Sequence, residues 1–252
     1  MKLKFAIPNN PIFKDFYSIS NNEVEITLTE EKNCIDLIST NRVNAAVLSP
    51  LGYSRGVAIS DYRIIPGPVL ALKGYTGFSS VYFRDNLTDI INSFADNPDD
   101  FISIASRIIL SEKYDLTINP EIFSKEIDNQ IENSDIIISS RESKMHKPIL
   151  DISEDWFDTF EIPLILGFWV INAHLEGINF HSIINSITNP NLLKEEMVIE
   201  KLNDKVLREP RKGIILRWWN EEIEFALEET IKLLFYHQYI KDIAAVKIFG
   251  RD

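Results

Sequence analysis

Ser139-Ser140-Arg141 directly follows an apolar run ending at Ile138. An arginine at the carboxyl end of a strand presents a planar fork of donors that matches a carboxylate. In an acidic chain the same residue suits a structural salt bridge equally well. Ser79-Ser80 opens another apolar stretch, just after Gly74-Tyr75-Thr76-Gly77. Two hydroxyls there read either as an edge pair or as hydroxyl and amide donors that hold a carboxylate without a formal positive charge. Asn9 and Asn10 after Pro8, and Ser49 before Pro50, stand just beyond the ends of two further apolar runs. Parallel α/β units place ligands beyond such strand ends. Asp99 and Asp100 precede a helical pattern, where negative charge suits the helix dipole.

Other chemistries find no pattern. The histidines are His146, His174, His181 and His237; His174 and His181 are seven apart, without an H-E-x-x-H pattern, so no metal site is expected. There is no G-x-S-x-G elbow, no phosphate-binding G-x-x-x-x-G-K-[ST] loop and no G-x-G-x-x-G fingerprint. Trp218-Trp219 are adjacent, so only one of them is expected to bury deeply.

The chain of 252 residues carries 26 Lys+Arg against 38 Asp+Glu, a formal net charge of −12. That balance argues against nucleic acid and against an anionic membrane surface as partners. It leaves room for a small anion in one local pocket, because net charge says little about a single site. The single cysteine, Cys34, excludes an intramolecular disulfide framework. The first apolar run is too short for a secretory signal, and the block from Ile162 to Ile171 is half the length of a membrane span, so a cytoplasmic location is expected.

The elements that would position these residues alternate through the first third. Lys2–Ile7, Glu23–Leu28 and Ala45–Leu48 read as strands, with a helix over Glu31–Asn41 between the last two, and this order suggests a parallel βαβ unit. Tyr62–Ile65, Val69–Leu72 and Ser80–Phe83 read as three strands separated by Pro66-Gly67-Pro68 and by the Gly74–Gly77 turn. Phe101–Tyr114 reads as a helix, and Asp135–Ile138 and Ile162–Trp169 as buried strands. The final third reads as helical, above all Glu221–Ile240, with Asn220 as its N-cap and Ile223, Leu227, Ile231 and Leu234 at helical spacing. The chain thus appears as two α/β lobes, the first from 1–76 plus 174–252 and the second from 77–173.

Several of these segments resemble, in order, the menaquinone-biosynthesis family of the futalosine route, whose best-known member is chorismate dehydratase. Tyr62-Arg63-Ile64-Ile65-Pro66-Gly67 and then Gly77-Phe78-Ser79-Ser80-Val81 are similar to its "Y-x-I-x-P-G … G-x-V-x-S-V". Arg42 to Pro50 resembles "G-x-V-D-x-A-L-x-P", and Ile108 to Tyr114 resembles "R-I-L-L-x-E-K-Y". Leu150 to Trp156, then Ile162-Pro163-Leu164 to Phe168-Trp169, resembles "D-L-G-x-x-W … G-L-P-F-V-x-A-x-W". The resemblance implies an α/β, two-lobed type-II periplasmic-binding-protein-like fold with a ligand cleft between the lobes. It implies a lyase that removes water from chorismate to give 3-enolpyruvylbenzoate, and it implies no cofactor. The candidate ligand contacts are Asn9, Asn10, Ser49, Ser79, Ser80 and Arg141, with no residue assigned as general base. Asp99 and Asp100 stand where the family places hydroxyls ("S-R-T-S"), so they are candidates for altered specificity, since two carboxylates would repel a carboxylate ligand. The alternative is a diverged, non-catalytic small-molecule-binding protein of the same fold.

Overall fold

The computed structural model describes residues 2–17, 23–84, 87, 90–123, 126–175, 177–202 and 208–251. The chain begins with β1 (Leu3–Pro8), β2 (Val24–Thr29), α1 (Glu31–Ser39), β3 (Ala45–Leu48), α2 (Pro50–Val57) and β4 (Tyr62–Gly74). It continues through β5 (Ser80–Phe83), β6 (Ser93–Ala95), α3 (Phe101–Tyr114), β7 (Glu121–Ile122), α4 (Ile127–Ile131), β8 (Ile136–Ser139), β9 (Leu150–Asp151) and α5 (Ile152–Phe160). It closes with β10 (Leu164–Asn172), α6 (Phe180–Ile187), β11 (Glu195–Ile199), β12 (Lys212–Trp218) and α7 (Glu221–Tyr236).

Three readings of the sequence change. β4 runs unbroken through Pro66-Gly67-Pro68. Residues two apart direct their N–H positions to the same strand edge, so the two prolines cost donors on one side only, while the Gly67 carbonyl still accepts from Trp219 N at 2.8 Å. The final third is not wholly helical, because it contains β11 and β12; the Gly213–Trp218 run buries Gly213, Leu216 and Arg217. α7 ends at Tyr236, four residues short of Ile240, because Gln238 takes a left-handed conformation (φ 62°).

The chain divides into two compact units. Unit 1 comprises Met1–Ala71, Ile165–Glu196 and Leu216–Asp252; unit 2 comprises Leu72–Leu164 and Met197–Ile215. These boundaries differ from the lobes read from sequence at three places, the first being that residues 72–76 fall in unit 2. β10 pairs antiparallel with β3 (Phe168↔Leu48, Trp169↔Val47), which holds it in unit 1. The stretch 197–215 bonds to Glu154 and to the backbone of Tyr75, which holds it in unit 2.

Unit 1 is built on the β10-β3-β1-β2 part of a seven-stranded sheet ordered β11-β12-β4-β10-β3-β1-β2, in which β4, β11 and β12 each have residues in both units. β2 and β3 both pair parallel with β1, so β2–α1–β3 is the parallel crossover that the alternation pattern predicts. Trp169 lies fully buried against Phe5, with ring centroids 5.4 Å apart, and also packs on Phe16. Trp219 is buried edge-on against Phe168 while Trp218 stays partly exposed, which answers the question posed by the adjacent tryptophans.

Unit 2 is built on a five-stranded sheet ordered β7-β6-β8-β5-β9. The amphipathic α3 and α5 cover it, with Phe101 and Phe160 packed edge-on against the fully buried Trp156. Among the described residues no helix is long and apolar enough to cross a membrane.

Asn172 is the polar lock of unit 1. Only 1% exposed, it donates to the Ile38 carbonyl (3.0 Å) and the Asn41 side chain (2.9 Å), and accepts from the Ser60 hydroxyl (2.9 Å). It therefore satisfies the carboxyl end of α1 and the left-handed Asn41 beside it. Replacing Asn172 by Ala leaves the buried Ile38 carbonyl without this donor and removes the bonds to Asn41 and Ser60. It should cost about 1–3 kcal/mol in urea unfolding of the whole chain; a variant as stable as wild type would contradict this assignment.

Candidate functional site

The register of unit 2 brings three polar residues into a row. β5 pairs antiparallel with β8 on one side and β9 on the other, so Ser80 lies opposite Ser139 and also opposite Asp151. Side chains alternate along a strand, so Ser80 and Tyr82 share one face of β5 while Val81 enters the core on the other. Ser139, Ser80, Tyr82 and Asp151 all line a cavity of about 650 Å³ that lies wholly within unit 2.

Asp151 fixes the floor of this cavity. It is the N-cap of α5, in the sequence Asp151-Ile152-Ser153-Glu154, and it accepts from Glu154 N at 3.0 Å. It also accepts from the Ser153 hydroxyl and from Gly77 N, both at 2.7 Å. The bond to Gly77 anchors a turn in which that glycine is left-handed (φ 66°). Burial pushes the Asp151 carboxyl above its ordinary value, against the pull of these donors.

The loop after β8 forms one wall. The Tyr82 hydroxyl accepts from Ser143 N at 3.3 Å and donates to the Arg141 carbonyl at 3.4 Å. Ser143 donates to Asp128 and accepts from His146 N at 2.7 Å, which folds the loop back toward α4. This wall presents Arg141, Lys144 and Lys147. Lys144 and Lys147 are exposed and form no salt bridge with another described residue.

The facing wall comes from Glu200, Lys201, Leu202, Arg208 and Arg211. Arg208 grips Glu200 through two bonds of 2.7 and 2.8 Å. Arg211 bonds to Glu200 at 2.9 Å and to Glu154 at 2.8 Å, and its guanidinium lies 4.2 Å from the centre of the Tyr75 ring. Lys201 lines the same wall. In all, six basic side chains line the cavity against three carboxylates, Glu142, Asp151 and Glu200, in a chain whose net charge is −12.

The residues singled out from sequence fall into three groups. Ser80 and Arg141 line the cavity, and Ser79 is buried beside them with its hydroxyl on the Ser139 carbonyl. Arg141 also forms the structural salt bridge that the sequence left open, with its Nε 3.0 Å from Asp96, and it lies over the Phe123 ring. Asn9, Asn10 and Ser49 belong to unit 1. Asn10 caps a short 3-10 turn by accepting from Ile12 N, Asn9 is exposed with its backbone N–H on Thr29, and Ser49 caps α2 while donating to Glu31. Asp99 and Asp100 form the entry of α3: Asp99 is exposed, and Asp100 accepts from the Asn97 side chain at 2.7 Å. Neither lines the cavity.

Sequence reasoning missed Tyr82, Asp151, Lys144, Lys147, Lys201, Arg208 and Arg211. One signal was present: Arg141, Lys144, His146 and Lys147 crowd into seven positions of an otherwise acidic chain. The histidines weighed as metal ligands do not converge, since His174 sits in a 3-10 turn and His181 packs on Phe249. Among the described residues no group of three His, Cys, Asp or Glu is placed to hold a metal ion.

No protein-family model matches the chain, and no curated protein matches it in sequence. Solved structures superpose on it at low sequence identity. An ABC transporter protein from Parabacteroides distasonis superposes with a TM-score of 0.50 at 11% identity, covering 100% of this chain and 99% of its own. Protein AF1704 from Archaeoglobus fulgidus gives 0.48 at 14% identity, over 94% of this chain and 78% of its own. The alkanesulfonate-binding protein SsuA from Xanthomonas axonopodis pv. citri, solved with MOPS, gives 0.48 at 10% identity, over 97% and 96%. The fold is α/β, with two compact units, and is similar to that of the Parabacteroides distasonis protein.

Glu200 is the clamp of the basic wall. Its two arginines hold its carboxyl well below the ordinary value near 4.5. A carboxyl depressed in the folded state contributes stability that is complete above pH 4.5 and lost as pH falls below it. Glu200→Gln should cost about 1–2 kcal/mol at pH 7. The gap to wild type should narrow as urea titrations move from pH 5 to pH 3, and a constant gap would contradict the assignment.

Proposed function

We propose that the protein takes a small carboxylate in the unit 2 cavity, and that this ligand is chorismate, converted to 3-enolpyruvylbenzoate and water. The observation that carries the first half is the surplus of basic side chains around one cavity of an acidic chain. A concave site focuses local charge, so its lining outweighs a distant net charge in choosing a ligand. Arg141, Lys144 and Lys147 supply the cations; Ser80, Ser139 and the Tyr82 hydroxyl supply neutral donors beside them.

The second half is supported by the ordered sequence matches, two of which contribute to this cavity: Gly77–Val81 through Gly77, Phe78 and Ser80, and Leu150–Trp156 through Asp151. Asp99 and Asp100 do not oppose it, because they stand at the entry of α3 and not on the cavity wall. In this reading a ring proton and a hydroxyl leave, and aromatisation drives the loss. The cavity contributes orientation of the carboxylates and exclusion of water. No residue is assigned as general base. The reading also carries a cytoplasmic site of action.

One observation favours the second reading, a non-catalytic binding protein. The deepest carboxyl of the wall, Asp151, is already engaged by Gly77 N, the Ser153 hydroxyl and Glu154 N.

Mass spectrometry of chorismate incubated with the protein separates the two, read beside the thermal midpoint. Formation of 3-enolpyruvylbenzoate supports the lyase. A raised midpoint without product supports the binding protein. Neither effect contradicts both. In either case Lys144→Met with Lys147→Met should raise the dissociation constant about tenfold or more, without lowering the midpoint of the free protein.

A further inference from the structure

Phe78 differs from the phenylalanines of the core. Phe5, Phe16, Phe101, Phe168 and Phe180 are fully buried. Phe78 is only half-buried, and it lines the cavity. It makes no ring contact with another aromatic side chain among the described residues. Its backbone nevertheless is held on both sides: Gly77 N donates to Asp151 at 2.7 Å, and the Ser79 carbonyl accepts from Ile152 N at 3.0 Å. A phenyl ring on a backbone held this firmly, half-buried and facing a cavity, is placed to meet a ligand.

Its surroundings give it a use. Across the same cavity the Tyr75 ring is occupied by the Arg211 guanidinium, and the Tyr82 ring is buried against Ile137 of its own sheet. Among the described residues Phe78 is therefore the phenyl or phenol ring of the cavity with neither a cation over it nor a place in that core cluster. Lys144, Lys147 and Arg141 line the same space and would meet the charged end of an anion. A planar ring carrying a carboxylate fits that pairing, since its π face can stack on a phenyl while its anionic end reaches the cations. A flexible aliphatic acid would gain from the cations alone.

We propose that Phe78 is the specificity-determining residue of the cavity, and that it selects a planar, unsaturated ring carboxylate over a saturated one. This inference depends on the reading of the cavity as a carboxylate site. It goes further by assigning discrimination to one side chain and by naming the feature discriminated.

The test uses two probes of equal charge and nearly equal size, benzoate and cyclohexanecarboxylate, titrated into the full chain and followed by ligand-observed NMR. Wild type should bind benzoate three- to tenfold more tightly. Phe78→Leu should lose that preference while keeping its affinity for cyclohexanecarboxylate within about twofold. Phe78→Tyr, which keeps the ring, should retain the preference. Wild type that binds both acids equally, or Phe78→Leu that still prefers benzoate, would overturn the assignment and leave the carboxylate reading standing. Failure of both acids and of chorismate to bind would overturn the carboxylate reading, and this inference with it.

Discussion

The carboxylate of Asp151 is the constraint on which the candidate site depends. One oxygen starts α5 by accepting from Glu154 N, and the other holds the left-handed turn at Gly77. The same residue ends β9, where it pairs with Ser80 of β5. A helix, a turn and a strand edge therefore meet at a single buried group. Burying a carboxylate is costly unless donors surround it. Here the donors are backbone N–H groups and a hydroxyl rather than a cation, so the group is satisfied without using any positive charge of the cavity. The lysines of the facing loop stay available to a ligand.

A second economy of charge operates at the other wall. Arg208 and Arg211 could dominate the cavity, yet each is ion-paired, Arg208 to Glu200 and Arg211 to Glu200 and Glu154. Their work is positional: Arg211 lies on the Tyr75 ring and ties Glu200 to Glu154 of α5. The charge left for binding resides on the more exposed lysines and on Arg141, which shares its guanidinium with Asp96. The distinction matters because an arginine locked by two carboxylates contributes shape, whereas a lysine without a partner contributes field. An acidic chain can thus carry a basic site without contradiction.

The strand–helix alternation of the first third was legible from periodicity alone, and so were Phe101–Tyr114 as a helix and Asn220 as the cap of α7. Ser80 and Arg141 were legible because their types and their places at strand ends carry chemistry. What escaped was set by long-range pairing. Asp151 looks like an ordinary helix start, and only the β5–β9 register reveals that it faces Ser80. Arg208 and Arg211 lie some sixty residues from the loop that they face across the cavity, and no local pattern connects them. Gly213–Trp218 was read as part of a helical third because its neighbour, α7, dominates the local pattern. Pro66 and Pro68 misled in the other direction, since the rule that prolines end strands fails where both point to one edge.

The central claim is that a small carboxylate binds among Ser80, Arg141, Lys144 and Lys147 of unit 2. It is tested most directly by amide chemical-shift mapping as chorismate is added to the isotope-labelled chain. The account predicts saturable shifts centred on Gly77–Tyr82 and Ser139–Lys147, with one common dissociation constant. Saturable shifts confined to other parts of the chain, or none at millimolar ligand, would contradict it.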